Sequence, residues 1–365
     1  MSAAPMIPTD TLFSADYATA RRKFLAACAL RGLAPEVHGH PLAGAQGEAL
    51  ATDVVRIGPA DAQRVLVLTS GVHGVELFAG SGCQIDWLLT QSADDLPPDT
   101  AVVLVHAINP WGASWLRRYT EDNVDLCRNF IDHAQAPPSH KYAPLHAAIA
   151  LDPGDASAVA AGDTLLADFA RVHGSEALYN ALMAGQYSFA QGMGFGGQAP
   201  TWSRLTIEAV LRRHGASARE VCLVDYHTGL GPYGYGSLVA LQQGEALARM
   251  RAAFGEWVVA VHESGAPEDF APVTGHSTPG YERALPQARV TAAVLEFGTA
   301  RPQRMLELLV RDQREWAAGI GRTQLSDTRR ELLRFFYPGE PAWQRSLVDQ
   351  SRQVIANALR WLGEA

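Results

Sequence analysis

The fold is decided by the stretch Val65-Leu66-Val67-Leu68-Thr69-Ser70-Gly71-Val72-His73-Gly74-Val75-Glu76. Its first part is continuously aliphatic, which predicts a buried strand, and the Ser-Gly pair ends that strand. Apolar residues at helical spacing follow over 77–89. His73 and Glu76 therefore lie on a strand-to-helix turn, three residues apart, and face the same way if that turn is helical. An imidazole and a carboxylate placed in this way form half of an open zinc site.

Outward from this stretch, short aliphatic runs alternate with longer helical patterns. Strands are predicted at 54–57, 64–68, 101–107, 221–225, 237–241, 258–261 and 291–297. Helices are predicted at 78–89, 205–213, 245–254, 302–318, 329–335 and 341–362. The alternation predicts an α/β fold, a three-layer sandwich around a central mixed, mostly parallel sheet.

We expect residues 1–365 to form a single domain, with 131–202 as a partly helical, Gly-rich insertion near the site. This insertion contains the GxGxxG pattern Gly192-Met193-Gly194-Phe195-Gly196-Gly197. A dinucleotide site needs a strand before that pattern and a helix opening on it, and neither flank fits. A flexible loop over the site is the preferred interpretation.

Composition narrows the classes of function. The 30 basic and 38 acidic residues give a net charge of −8, without a basic block, which argues against nucleic acid or an anionic membrane as a partner. The four cysteines, Cys28, Cys83, Cys127 and Cys222, form no CxxC pair and no disulfide framework. The first thirty or so residues lack a signal-peptide pattern, so a reduced, cytoplasmic location is expected.

Reactive side chains follow several of the predicted strands, where α/β sheets usually bind ligands. Asp225-Tyr226-His227-Thr228-Gly229 follows one strand, and Glu296-Phe297-Gly298-Thr299 closes another. Two arginine motifs, Arg117-Arg118-Tyr119 and 123–130, follow the strand over 101–107. A buried acid needs a partner, so we expect these groups to share one site.

The order HxxE, NPxG, RY, DxxRNF, DYHTG and LEFGT over about Val65 to Thr299 resembles the carboxypeptidase A superfamily of zinc hydrolases. This superfamily includes metallocarboxypeptidases and the succinylglutamate desuccinylase and aspartoacylase branch. The resemblance implies one zinc ion per chain, held by His73, Glu76 and His227. It implies Glu296 as the general base and acid, and Arg118 as the group that polarises the scissile carbonyl.

The resemblance also implies that Arg128 holds a substrate carboxylate and that Asp125 orients His73. One departure is Cys127, because the family pattern usually has Asn before this arginine. A thiol is a weaker donor than an amide, so we interpret Cys127 as a change of specificity. A nucleophilic role is disfavoured because no activating histidine adjoins it. Asn129 and Tyr233 complete the predicted substrate-binding residues.

Several residues have simpler interpretations. Glu296 is alternatively a structural partner of Arg301 or Arg304. Tyr233 is as compatible with an ordinary loop as with the substrate cleft. Arg117 is expected to be solvated, since only one of two adjacent arginines should point inward, and Tyr281 is expected at the surface. The remaining candidate histidines, His106, His133, His262 and His276, are not predicted ligands. The helix over 341–362 is interpreted as a packing helix, or an oligomer contact.

The sequence thus predicts a zinc-dependent hydrolase of an amide bond in a peptide or an N-acyl amino acid. The first alternative keeps the site but makes it a deacylase or esterase of the aspartoacylase type. The second is a non-catalytic relative that keeps the scaffold for ligand binding. The presence of Glu296 argues against the second alternative, because a dead site need not keep its base.

Overall fold

The computed structural model describes residues 7–263 and 273–364. Its strands are β1 (Glu36–Ala43), β2 (Ala49–Ile57), β3 (Arg64–Ser70), β4 (Thr100–His106), β5 (Glu220–Tyr233), β6 (Gly236–Ala240), β7 (Val258–Ala260) and β8 (Arg289–Gly298). Its helices are α1 (Thr9–Leu12), α2 (Tyr17–Leu30), α3 (Leu77–Thr90), α4 (Pro110–Ser114), α5 (Leu126–Asn129), α6 (His146–Ile149), α7 (Ala156–His173), α8 (Ser175–Met183), α9 (Trp202–His214), α10 (Gly244–Phe254), α11 (Ser277–Ala284), α12 (Pro302–Ala317), α13 (Asp327–Phe336) and α14 (Pro341–Glu364).

The strands form one eight-stranded sheet in the order β1-β2-β4-β3-β5-β8-β6-β7. The central strands β4, β3, β5 and β8 are parallel to one another. Antiparallel pairs add β1 and β2 at one side and β6 at the other. The sheet is therefore mixed and parallel at its centre, as the aliphatic runs predicted.

The two faces of the sheet bury different cores, because side chains alternate along each strand. Leu66 and Leu68 of β3 belong to the core that includes Phe24, Phe78 and Leu347, from α2, α3 and α14. Val65 and Val67 belong to the core that includes Ile207 and Tyr281, from α9 and α11. Helices thus cover both faces, and the predicted three-layer α/β sandwich is confirmed.

The predicted strands and helices are all present, with boundaries shifted by a few residues. β1, α2 and α11 were not predicted, nor were the short helices α1, α4 and α5. The segment 131–202 holds the helices α6, α7 and α8, followed by the Gly-rich turn. Trp343, Leu347 and Val354 of α14 are buried in the larger core, as expected of a packing helix. In the part of the chain that is described, no helix is long and apolar enough to cross a bilayer.

Candidate metal centre

The turn that carries His73 and Glu76 is fixed by its backbone. The positive φ of Gly71 (74°) turns the chain after β3, and Gly74–Glu76 then forms a single 3₁₀ turn that leads into α3. The N–H of Gly74 donates to the carbonyl oxygen of Arg118 (3.3 Å), and that of Val75 donates to the carbonyl of Arg117 (2.9 Å). The turn predicted from the sequence is therefore anchored to the arginine segment that follows α4.

His227 and Glu296 come from neighbouring parallel strands. They lie inside β5 and β8, which run further than predicted, and their Cα atoms are paired in register. Paired residues of adjacent strands point to the same face of a sheet, so the two side chains project together. Both line one pocket with His73, Glu76 and Arg118. Residues distant in sequence thus meet at one edge of the sheet.

The side chains of His73, Glu76 and His227 converge closely. His73 Nδ1 lies 2.9 Å from Glu76 Oε1, and His227 Nδ1 lies 3.4 Å from Glu76 Oε2. All three side chains are buried, with at most 4% of the surface exposed. Two ligands of one tetrahedral zinc ion, each about 2.1 Å from it, lie about 3.4 Å apart. The observed separations are close to that value.

The orientation of His73 also fits a cation. Its Nδ1 is within ion-pair distance of Glu76, yet no hydrogen bond is formed there, and the buried nitrogen has no other partner. Two ligands of one metal ion both point at the ion and not at each other. The nitrogen of His73 and the carboxylate oxygen of Glu76 lie side by side in this way. These three residues therefore fit a zinc ion, whose protein ligands are nitrogen, oxygen and sulfur atoms.

Asp125 and Arg118 surround these residues. Asp125 Oδ1 lies 3.2 Å from His73 Nε2, and its Oδ2 accepts a hydrogen bond from Arg118 Nε at 3.1 Å. Arg118 Nη1 donates to Glu76 Oε1 at 3.1 Å. A carboxylate on the far nitrogen of a histidine fixes the tautomer that leaves the near nitrogen free for a metal. This is the position that the family resemblance implied for Asp125.

Asp225 has the same relation to His227, and no role was predicted for it. Its Oδ2 lies 3.2 Å from His227 Nε2. Thr69 Oγ1 donates to Asp225 Oδ1 (2.7 Å), and Ser277 Oγ donates to Oδ2 (3.1 Å). The only available sequence signal was the i, i+2 spacing of Asp225 and His227, which puts both on one face of a strand.

The charges of the site shift several pKa values strongly. Burial and Arg118 oppose protonation of His73, but Glu76, Cys127 and Asp125 outweigh them and raise its pKa to about 10. Burial opposes ionisation of Glu76, yet the two histidines hold its pKa well below the usual range. Burial and the neighbouring Glu76 raise the pKa of Glu296 to about 7. Perturbed groups gathered in one pocket are typical of functional sites.

Cys127 and Arg128 line the same pocket. The guanidinium of Arg128 is held by backbone: Nε and Nη2 donate to the carbonyl of Met183 at 2.9 and 2.6 Å, and Nη1 donates to the carbonyl of Cys127 at 2.8 Å. The Nε–Nη2 edge of Arg128 is thus already occupied, and fewer of its N–H donors are left for a carboxylate.

Two predicted substrate-binding residues are not brought to the pocket. The Asn129 amide nitrogen donates to the carbonyls of Gly196 and Ala199, and its oxygen accepts from the N–H of Thr201. It fastens the Gly-rich turn to α5. Tyr233 is 52% exposed, and its hydroxyl donates to Glu340 at 2.9 Å. The Gly-rich turn itself is mostly buried rather than a flexible cover.

Three further predictions were wrong because partners distant in sequence were invisible. Arg117 is fully buried and its Nε donates to Asp312 Oδ2 at 2.8 Å. Tyr281 is fully buried against Phe130, at a ring-centroid distance of 5.4 Å.

The third concerns Cys127, which does have histidines beside it. Burial opposes ionisation of its thiol, but His276 and His73 hold the pKa of the thiol well below the usual range. His276, which was set aside, lines the pocket.

A larger cleft adjoins this pocket. It has a volume of about 860 Å³ and lies between α7, α8 and α12. Apolar side chains form much of its wall, and Tyr179 of α8 lines both the cleft and the pocket. The wall includes Leu166, Leu178, Leu182, Leu306 and Val310. Part of the segment 131–202 therefore does lie beside the candidate site.

The fold is similar to that of carboxypeptidase A. Carboxypeptidase A from Helicoverpa armigera aligns with a TM-score of 0.52 at 13% identity, over 96% of this chain and 74% of that one. Thrombin activatable fibrinolysis inhibitor aligns with a TM-score of 0.51 at 10% identity, over 100% of this chain and 79% of that one. The predicted carboxypeptidase-like fold is confirmed.

The particular family is given by sequence. Residues 13–350 match the model of the family described as "Protein of unknown function (DUF2817)". This match spans most of the chain, and the protein belongs to that family. No curated protein matches the sequence.

Proposed function

We propose that the protein is a zinc-dependent hydrolase of an amide bond, in a peptide or an N-acyl amino acid. The observation that carries the proposal is the convergence of His73 Nδ1, Glu76 and His227 Nδ1 in one buried cluster, with Glu296 in the same pocket. Zinc bound by these three residues would act as a Lewis acid and activate water at neutral pH. The carboxypeptidase-like fold supports the same proposal.

Glu296 is the proposed general base. Its Oε1 accepts a hydrogen bond from the N–H of Leu230 at 3.0 Å, which orients the carboxylate and leaves Oε2 to handle the proton. That oxygen would take a proton from the attacking water and deliver it to the leaving amine. Of the two arginines in the alternative interpretation, Arg304 pairs with Glu307 and Glu331 instead of Glu296.

Arg118 is the proposed electrostatic partner of the substrate carbonyl. Its Nε and Nη1 are fixed by Asp125 and Glu76, so the guanidinium is held rigidly at the pocket wall. A preorganised cation at that position stabilises the negative charge that develops on the carbonyl oxygen. Asp125 then has two tasks, since it orients both His73 and Arg118.

The hydrogen bonds of Arg128 reduce the number of donors that it can offer to a substrate carboxylate. Its Nε and Nη2 edge is taken by the Met183 carbonyl, and Cys127 stands where the family pattern has an amide. This observation keeps the deacylase or esterase alternative beside the carboxypeptidase one. A panel of peptides with free and blocked C-termini, together with N-acyl amino acids, separates the two.

Metal analysis and two substitutions test the proposal. Purified protein should contain about one zinc per chain, and His73→Ala should lose it. Glu296→Gln should keep the zinc and lose about 10²–10⁴-fold in turnover. Glu245→Gln, at an exposed position, is the matched control and should leave turnover unchanged. Protein that binds small ligands without a metal would instead support the non-catalytic alternative, and activity surviving in Glu296→Gln would remove Glu296 as the base.

A further inference from the structure

A third kind of metal-binding atom lies at the candidate site. Three buried residues each place one ligand atom within 4.8 Å of the other two: His73, Cys127 and His227. Cys127 is fully buried, and its Sγ has Ser277 Oγ at 3.7 Å as a long contact. Sulfur makes only weak hydrogen bonds, so this contact does not prevent the thiol from binding a metal ion.

Backbone interactions hold Cys127 at this place. Asp125 caps α5 by accepting the N–H of Cys127 at 3.1 Å, and the same carboxylate oxygen lies 3.2 Å from His73 Nε2. The carbonyl of Cys127 accepts from Arg128. The cysteine is therefore tied to the residue that orients His73, and its distance from the histidine is set by Asp125.

We infer that Cys127 is a ligand of the metal ion that His73, Glu76 and His227 hold, and that it closes the site when substrate is absent. This inference rests on the proposed function. A sulfur and a nitrogen ligand of one tetrahedral zinc ion lie about 3.6 Å apart, given bond lengths of about 2.3 and 2.1 Å.

The consequence is a site with two states. With Cys127 bound, the ion has four protein ligands, which is the coordination of closed, structural zinc sites. With Cys127 released, three ligands remain and one position opens, as hydrolysis requires. Cys127 would then regulate access to the ion rather than read the substrate directly.

X-ray absorption spectroscopy of the full-length, zinc-loaded protein tests the inference without measuring activity. The expected result is a sulfur neighbour about 2.3 Å from zinc, which is lost in Cys127→Ala. Cys28→Ala is the matched control, because Cys28 is a buried cysteine in α2, and it should keep the sulfur neighbour. Cobalt substitution gives a second readout, since thiolate ligation produces a charge-transfer band that nitrogen and oxygen ligands do not.

The possible outcomes separate this inference from the proposed function. One zinc per chain with only nitrogen and oxygen neighbours overturns the inference and leaves the hydrolase proposal standing. Protein that binds no zinc overturns both. A sulfur neighbour that persists in Cys127→Ala also overturns the inference. Should Cys127→Ala not fold, the wild-type spectrum decides, because absence of sulfur there is sufficient to reject ligation by Cys127.

Discussion

Asp125 Oδ1 lies 3.2 Å from the Nε2 of His73, on the side of the ring opposite Glu76. At this distance the carboxylate of Asp125 contacts the ring of His73, a candidate metal ligand. The side chain of Asp125 is fully buried. Because Arg118 and the His73 ring favour the ionised form, the pKa of Asp125 lies well below its usual range despite the burial that opposes ionisation. Asp125 therefore stays charged while it orients the ring.

Asp125→Asn should weaken zinc binding about 10–100-fold, because the amide removes the charge that fixes the histidine tautomer. Competition with a chromophoric chelator measures the affinity. Asp132→Asn is a suitable control, since Asp132 also caps a short helical turn but is exposed. An unchanged affinity in Asp125→Asn would show that the tautomer is set elsewhere.

Gly74→Ala should disrupt the turn that carries His73 and Glu76. A Cβ at this position would lie 2.0 Å from the carbonyl carbon of Gly112, and backbone cannot move aside as a flexible side chain can. Overpacking of this kind costs about 1–3 kcal/mol, occasionally more. Chemical denaturation should show that loss, and zinc content should fall with it. Gly39→Ala, where a Cβ would meet nothing within 4 Å, should change neither quantity.

Asp312→Asn should destabilise the protein by about 3–5 kcal/mol, because Asp312 pairs with two buried arginines. Arg117 donates to it at 2.8 Å and Arg329 at 3.3 Å, and all three side chains are 0% exposed. Urea unfolding measures the change. The exposed pair Arg171–Asp168 provides the contrast, since Asp168→Asn should cost less than about 1 kcal/mol. Equal effects of the two substitutions would contradict the role of burial.

His106 should make the protein less stable in acid. The ring is fully buried, stacks on Phe24 at a centroid distance of 4.5 Å and meets Ser81 Oγ at 2.9 Å. Burial, helped by Arg21, lowers its pKa from 6.5 to about 3. Between these values the unfolded chain binds the proton and the folded chain does not, so stability falls as pH falls.

The contribution of His106 to the free energy of unfolding is thus fully present above about pH 6.5. Below that pH it decreases by up to about 1.4 kcal/mol per pH unit. Urea unfolding at several pH values measures the slope. His106→Gln should flatten it over this range, whereas His140→Gln, at an exposed position, should not. The interpretation fails if both variants keep the wild-type slope.

The central strands were predictable because their apolar runs are visible in the sequence. The runs that became β3, β4 and β5 are continuously apolar because helices cover both of their faces. β1 was missed because it is an edge strand with mostly exposed or half-exposed residues, so it has no apolar run. Its register also shifts between Gly39 and Ala43, which breaks the alternation further.

The site was predictable in part for a related reason. His73 and Glu76 are three residues apart, and their turn is visible in the sequence. Arg117 could not be interpreted in the same way, because its partner Asp312 is 195 residues further along the chain. His276 also had no local signal, since it reaches the pocket through α11, which packs against α5 and β8.

The register between β5 and β8 has a further consequence. His227 and Glu296 form one of ten consecutive residue pairs between the two strands, from Glu220 opposite Arg289 to Gly229 opposite Gly298. A slip of one residue would turn Glu296 to the opposite face of the sheet while His227 stayed in place. The proposed ligand and the proposed base are therefore gained or lost together with the pairing of the central strands. A folding error in that pairing would yield a chain that can still form a sheet but has no assembled site.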